Sequence, residues 1–425
     1  MTARMAGFSP GTGPRWSLGL AVASSCDRVD AALVADSPGQ AGSPPEVVAI
    51  GRCEIPGSVA ALYRQLISSP ATDHPSPGTI GRLRRHLAEV QVGLIEHVTD
   101  QARVARNRIL CAGVHDPGLW SGGNHLPVTY LGLCDGAFLA EASGLNVVDA
   151  FPARDLALGG LGGPITALSE WILLHEPLRN RLLLHLGNTT RLSYLPAARH
   201  RSATAEILAF DVGPGTRLLD ILAQRLTRGE KAFDPGGRLA VQGHKIVPLL
   251  EQWLADPYFD RPLPRWSPRG LPPERFLTGA FQLALAHDWS VRDLLCTATH
   301  LVAEAVTRAV RRTFLPEARI DEVVLAGGGQ HNGMLLREIA AGLGDIPMVR
   351  SAEAGVPSDA LDAASAAVLA LLHVDREPAN LPAVSGSDAR CVLGRLTPGS
   401  PQNWQRLLQH ITLTNPALRP QRAAL

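Results

Sequence analysis

Arg181-Leu182-Leu183-Leu184-His185-Leu186-Gly187-Asn188-Thr189-Thr190 reads as an apolar strand that ends in a tight polar turn. Leu192 to Leu195 then returns as a second strand, Ile207 to Asp211 forms a third, and Arg217 to Leu226 has helical spacing. The same order stands once before in the chain. Ser17 to Ala23 is a strand, Ser24-Ser25-Cys26-Asp27-Arg28 a polar turn, Val29 to Ala35 and Glu46 to Ile50 further strands, and Gly57 to Leu66 a helix. Two copies of one supersecondary order, roughly 165 residues apart, indicate an internal duplication and predict two α/β lobes, each built on a mixed sheet.

The chain has 425 residues, enough for two domains, and 45% of them are apolar. Lys and Arg number 40 against 39 Asp and Glu, a net charge of +1 that gives no nucleic-acid or membrane-attracting surface. The partners expected are small molecules or a second copy of the chain. Cys26, Cys53, Cys111, Cys134, Cys296 and Cys391 are scattered singly, as core thiols of a reducing compartment are. Leu18 to Cys26, behind Arg4 and Arg15, loosely imitates a lipoprotein signal, but the repeat reads it as a strand entering a turn. No segment approaches a membrane-spanning length, so the expected location is the cytoplasm. Residues 1–15 read as a disordered tail, 16–150 with about 382–402 as the first lobe, 151–381 as the second, and 403–425 as a closing tail.

Three stretches carry candidate chemistry. Asp211 ends an apolar run and is followed by Gly213-Pro214-Gly215; taken alone it reads first as a helix cap or solvated turn aspartate, and it is also a place to hold a general base. Ile320 to Leu325 runs into Gly327-Gly328-Gly329 and a helix from about Asn332. That order is neither the dinucleotide fingerprint nor a P-loop, and fits a different nucleotide site or simply a tight strand-to-helix turn. Gly159-Gly160-Leu161-Gly162-Gly163-Pro164 reads as a substrate-cleft loop, a hinge or a flexible connector. His287, His300 and His373 lie in helical patterns and read as surface or satisfied core residues.

Taken in order, Val147-Val148, Arg154-Asp155 through Gly159 to Pro164, Phe210-Asp211-Val212-Gly213-Pro214-Gly215, Ala255-Asp256-Pro257-Tyr258-Phe259, Gly327 to Asn332, Asn380-Leu381-Pro382 and Val392-Leu393-Gly394 resemble the anhydro-N-acetylmuramic acid kinase family over residues 17–400. The resemblance implies the two-lobed fold of sugar kinases and actin-like ATPases, with a central cleft where two hairpin turns grip nucleotide phosphates. It further implies a homodimer that uses ATP with Mg2+ to hydrolyse a 1,6-anhydro amino sugar and phosphorylate its O6 in cell-wall recycling. Asp211 then matches the catalytic base. Ser24, Ser25, Asp27, Arg28, Asp30, Gly187, Asn188, Gly213, Gly215, Gly327, Gly328, Gly329 and Asn332 fall at nucleotide positions, and His115, Arg154, Asp155 and Gly162 at sugar positions. No direct protein ligand to the metal is implied.

The chain departs from that family at ligand positions. Ala23 and Arg28 stand where the first phosphate turn has glycines, so strain is expected there if those positions need positive φ. His115-Asp116-Pro117-Gly118 replaces His-Gly-Gln-Thr, Ala150-Phe151-Pro152 replaces Asp-Phe-Arg, Arg191 replaces an asparagine, Pro264-Arg265-Trp266-Ser267 replaces Pro-Lys-Ser-Thr, and Asp362 replaces a glutamate. Three functions fit: an active kinase, a pseudokinase that binds sugar or nucleotide without turnover, and a hydrolase that uses Asp211 without ATP.

Overall fold

The structure is a computed structural model, and it describes residues 13–37, 43–68, 76–123, 126–198, 203–268, 270–315 and 318–414. Most of the expected N-terminal tail and the end of the C-terminal one lie outside the described residues. The chain divides into two compact units. The first comprises residues 1–157, 362–380 and 390–425, and the second residues 158–361 and 381–389. Residues 151–157 and 362–380, expected in the second lobe, thus fall in the first unit, and 382–389, expected in the first, fall in the second.

In chain order the first unit supplies β1 (Arg15–Val22), β2 (Arg28–Asp36), β3 (Glu46–Glu54), β4 (Ile109–His115), β5 (Leu119–Gly123), β6 (Leu126–Leu131) and β7 (Val147–Asp149). The second supplies β8 (Arg181–Leu186), β9 (Thr189–Leu195), β10 (Leu208–Pro214), β11 (Glu322–Ala326) and β12 (Met348–Arg350), and β13 (Arg395–Thr397) returns to the first. The sheet orders are β13-β7-β4-β1-β2-β3 and β10-β9-β8-β11-β12, with β5-β6 a separate hairpin. β1, β2 and β3 are antiparallel neighbours, and β4 and β7 extend β1 in parallel. β8, β9 and β10 repeat that meander, and β11 and β12 repeat the parallel extension. The duplication expected from the sequence is therefore a duplicated sheet topology. Among the described residues, β13, antiparallel to β7, and the β5-β6 hairpin have no counterpart in the second unit.

Each sheet is closed by helices. In the first unit Gly19 and Gly113 let the helix Leu361–Asp375 lie against β1 and β4: a Cβ at Gly19 would stand 1.7 Å from the Ala363 carbonyl oxygen, and one at Gly113 2.0 Å from that of Ala366. In the second, the helix Val291–Thr313 begins at a Ser290–Asp293 capping box and buries Leu294, Leu301, Val302, Val306 and Val310. Val302, Val306 and Val310 join Leu182, Leu184, Phe210, Val323 and Leu325 in one core cluster. The signal-like stretch is strand β1, buried between β2 and β4. Among the described residues no helix is long and apolar enough to cross a membrane. Part of the expected closing tail is a helix, Pro401–Thr414.

Candidate active site

In the second unit Asp211 lies inside β10 and not at its end, 4% exposed. Its Oδ2 accepts the Ser267 N–H at 3.0 Å. Its own N–H donates to the Arg265 carbonyl at 2.9 Å, and Arg265 Nε donates to the Asp211 carbonyl at 2.8 Å. The segment around residue 266 therefore runs along β10 and fixes the carboxyl. Oδ1 takes no hydrogen bond from any described residue. Burial pushes the carboxyl up to about 7, against the lowering influence of the Ser267 N–H, Arg191 and Arg265. Neither a helix cap nor a solvated turn describes this residue.

Arg265 is itself buried, and besides the Asp211 carbonyl its Nη1 donates to the Phe259 carbonyl at 3.1 Å and, more loosely, to those of Tyr258 and Arg261. It ties the Tyr258–Phe259 turn to the aspartate strand. Gly213, two residues past Asp211, packs on Phe259, whose ring would lie 2.8 Å from an added Cβ. Gly163 faces the ring of Trp266 just as closely, 2.5 Å, which sets the 159–164 loop beside the Asp211 cradle and carries Gly162, at φ +80, with it.

The turn between β8 and β9 gathers the other glycines. Gly215 N–H donates to the Asn188 carbonyl at 3.1 Å and Thr216 N–H to that of Gly187 at 2.8 Å, and a Cβ on Gly215 would stand 2.2 Å from the Gly187 carbonyl oxygen. Gly327, at φ +80, and Gly329 approach Leu186 equally closely. Gly215 and Gly327 let protein backbone meet protein backbone, and Gly329 lets the Leu186 and Thr216 side chains close in, a different need from the close ligand approach the sequence invoked. Gly328 alone has open space at its Cβ position, and it is exposed, as is Asn188. The triple glycine enters a short 3-10 turn (Gly328–His331) before the helix Gly333–Leu343, whose N-cap is Asn332, with Oδ1 accepting the Leu335 N–H at 3.0 Å.

In the first unit the β1–β2 turn places Ser24 and Asp27 at the surface. Ser25 Oγ donates to Asp27 Oδ1 at 2.7 Å. Positive φ falls on Cys26, at 54°, and on neither Ala23 nor Arg28, so the strain expected at those two positions is absent. Arg28, 43% exposed, pairs with Asp27 at 3.6 Å and Asp30 at 3.3 Å, and Arg52 takes the other oxygen of Asp30 at 2.6 Å.

The sugar candidates separate. His115 is half-buried at the end of β4. Arg154 is exposed and donates to the Val392 carbonyl at 3.2 Å. Asp155 has no exposed surface, and its carboxylate accepts from Asn380 Nδ2 at 3.1 Å. In this structure Asp155 serves the framework. The His115-Asp116-Pro117-Gly118 departure is also structural: buried Asp116 accepts from the N–H groups of Gly118, Leu133 and Cys134 and from the Tyr130 hydroxyl. His373 Nδ1 lies 2.6 Å from the Leu393 carbonyl, and His287 stacks on Trp289, as satisfied histidines do.

Sequence reasoning missed Glu170, which lies fully buried in the helix Ala167–Leu174 with Arg191, Thr166 and Ser193 around it. A glutamate after Ala-Leu-Ser in an apolar stretch was the available signal.

The family model described as anhydro-N-acetylmuramic acid kinase matches residues 15–399. The anhydro-N-acetylmuramic acid kinase of Gloeobacter violaceus is 33% identical over 395 residues, covering 91% of this chain and 99% of that one. That of Salinibacter ruber is 33% identical over 398 residues, covering 91% and 97%. Among solved structures, component A of the (R)-2-hydroxyglutaryl-CoA dehydratase of Acidaminococcus fermentans aligns with a TM-score of 0.42 at 14% identity, covering 83% of this chain and 97% of that one, too distant to bear on activity.

Proposed function

This chain belongs to the anhydro-N-acetylmuramic acid kinase family, and from that membership and the surroundings of Asp211 we propose that it opens and phosphorylates 1,6-anhydro-N-acetylmuramic acid or a related anhydro amino sugar with ATP. The observation that carries the reading is a buried carboxylate with one oxygen fixed by Ser267 N–H, the other without a donor among the described residues, and a proton affinity near neutrality. Ionised, it takes a proton from the water that attacks the anomeric carbon. The C1–O6 bond breaks, O6 attacks the γ-phosphorus, and ADP leaves. Such transfer depends on positioning and charge neutralisation.

Two exposed backbone positions of the second unit, Asn188 and Gly328, are the donors we assign to nucleotide phosphates, with Gly187, Gly213, Gly215, Gly327, Gly329 and Asn332 shaping the segments that present them. The turn of Ser24, Ser25, Asp27, Arg28 and Asp30 is the matching element of the first unit. His115 in the first unit and Gly162 in the second remain the sugar candidates, each taken by itself; Arg154 and Asp155 bond within the first unit, to the Val392 carbonyl and to Asn380. Magnesium, when bound, neutralises phosphate charge, and it arrives on the nucleotide's own oxygens. Both turn carboxylates are already engaged, Asp27 through one oxygen by Ser25 and Arg28 and Asp30 by two arginines, and of the two Asp27 is the exposed one. Family membership further supports a cytoplasmic homodimer acting in cell-wall recycling.

ADP release from ATP and magnesium, with and without the anhydro sugar, tests this reading. Sugar-dependent ADP matched by a 6-phosphorylated, ring-opened product supports it, and no product at any sugar concentration ends it. Arg28 favours a second reading, a pseudokinase, because a cation fastened to Asp27 and Asp30 stands where the family turn has glycine. Thermal stabilisation by magnesium-ATP together with turnover excludes that alternative.

A further inference from the structure

One polar row crosses the second unit's sheet. The register sets His185 of β8 opposite Arg191 of β9, and Arg191 opposite Asp211 of β10. Directly opposed residues share a face, with Cβ atoms about 4.5–5.5 Å apart. Arg191 therefore faces Asp211 from the neighbouring strand, with no ion pair closed between them among the described residues. Its guanidinium also donates to Glu170 Oε1 at 2.6 Å, and Glu170 accepts the Thr166 hydroxyl on that oxygen and the Ser193 hydroxyl on the other, both at 2.7 Å. An anion buried this completely persists only with a cation and hydrogen bonds upon it, and Glu170 has both.

The remaining groups facing Asp211 are a cation held on backbone, a neutral phenol and one N–H. Arg265 lies on backbone carbonyls, Tyr258 is a buried phenol held neutral by that burial, and Ser267 contributes one N–H. His185 stands on the far side of Arg191. Arg191 is thus the cation on this face that a buried carboxylate holds. We infer that Arg191, anchored by Glu170, is a positioning residue for the reaction that acts through Asp211, holding a positive charge on the face of the sheet that carries the carboxylate. This rests on the proposed role of Asp211 as the base. A purely mechanical role, tying the helix Ala167–Leu174 to β9, is the competing account.

The two differ in sign. In the full chain, the Asp211 carboxyl is followed by carbon NMR through a pH titration, its signal assigned by loss in Asp211→Asn. Removing the cation in Arg191→Gln raises the midpoint by about one pH unit, and removing the competing anion in Glu170→Gln lowers it. The acid limb of kcat/KM moves in the same directions. Midpoints that fall in both variants, as loosening and hydration would cause, or that move in neither, overturn the inference. Where Arg191→Gln does not fold, Arg191→Lys replaces it: a midpoint kept at the wild-type value supports the charge role and a fall overturns it. The titration needs no turnover, so an inactive chain with shifted midpoints refutes the kinase reading alone, and an active chain with unmoved midpoints refutes this inference alone.

Discussion

Arg265 and Asp211 are bound backbone to backbone and side chain to backbone: Asp211 N–H donates to the Arg265 carbonyl, and Arg265 Nε returns a bond to the Asp211 carbonyl. The irregular segment thereby becomes a partner of β10. Two residues on, Ser267 meets the carboxylate. Arg265→Lys keeps a charge but loses the fork that spans several carbonyls, and leaving those buried acceptors unpaired costs about 2–4 kcal/mol. Urea unfolding reads it, and a change below about 0.5 kcal/mol would contradict the assignment.

Asp211→Asn separates stability from catalysis. The native carboxyl titrates near 7 while the unfolded one titrates near 3.8. The native state thus keeps a proton that the unfolded chain releases, and stability falls as pH rises from about 4 through 7. Above that window the penalty is at most about 4 kcal/mol. The amide variant escapes it, so thermal unfolding at pH 8 comes at a higher temperature than wild type, with the difference gone at pH 4. Turnover falls by roughly 10²–10⁴.

The glycines divide by what they touch. Gly215→Ala drives a Cβ into the Gly187 carbonyl and loses about 2 kcal/mol or more, whereas Gly328→Ala meets nothing and leaves stability within about 0.5 kcal/mol. If Gly328 lies against phosphate, its alanine variant weakens magnesium-ATP binding with the fold intact. Calorimetric binding beside thermal unfolding reads both.

Arg28→Gly restores the residue type of the family turn. Its ion pairs are half-exposed, so their loss changes stability by no more than about 1 kcal/mol. Magnesium-ATP affinity rises if Arg28 obstructs the phosphate and falls if Arg28 binds it. An unchanged affinity places the nucleotide away from this turn.

The duplicated topology was legible because strand, turn and strand each leave a local mark: Leu182 to Leu186 are apolar and Gly187-Asn188 can only turn. Asp211 was legible for the same reason, as a charge closing an apolar run. The Glu170 cluster was not, since its partners Arg191 and Ser193 lie on another element and sequence spacing does not report which strand a helix covers. Asp155 misled in the opposite way. The family resemblance put it at a sugar position, and only the fold shows it fully buried with Asn380 bonded to it.

The most direct test is the ADP released per enzyme from ATP, magnesium and 1,6-anhydro-N-acetylmuramic acid, for wild type beside Asp211→Asn. Sugar-dependent ADP with the variant at least about 100-fold slower is the predicted result. Equal rates for the two proteins, or no sugar-dependent ADP from either, would contradict the role given to Asp211.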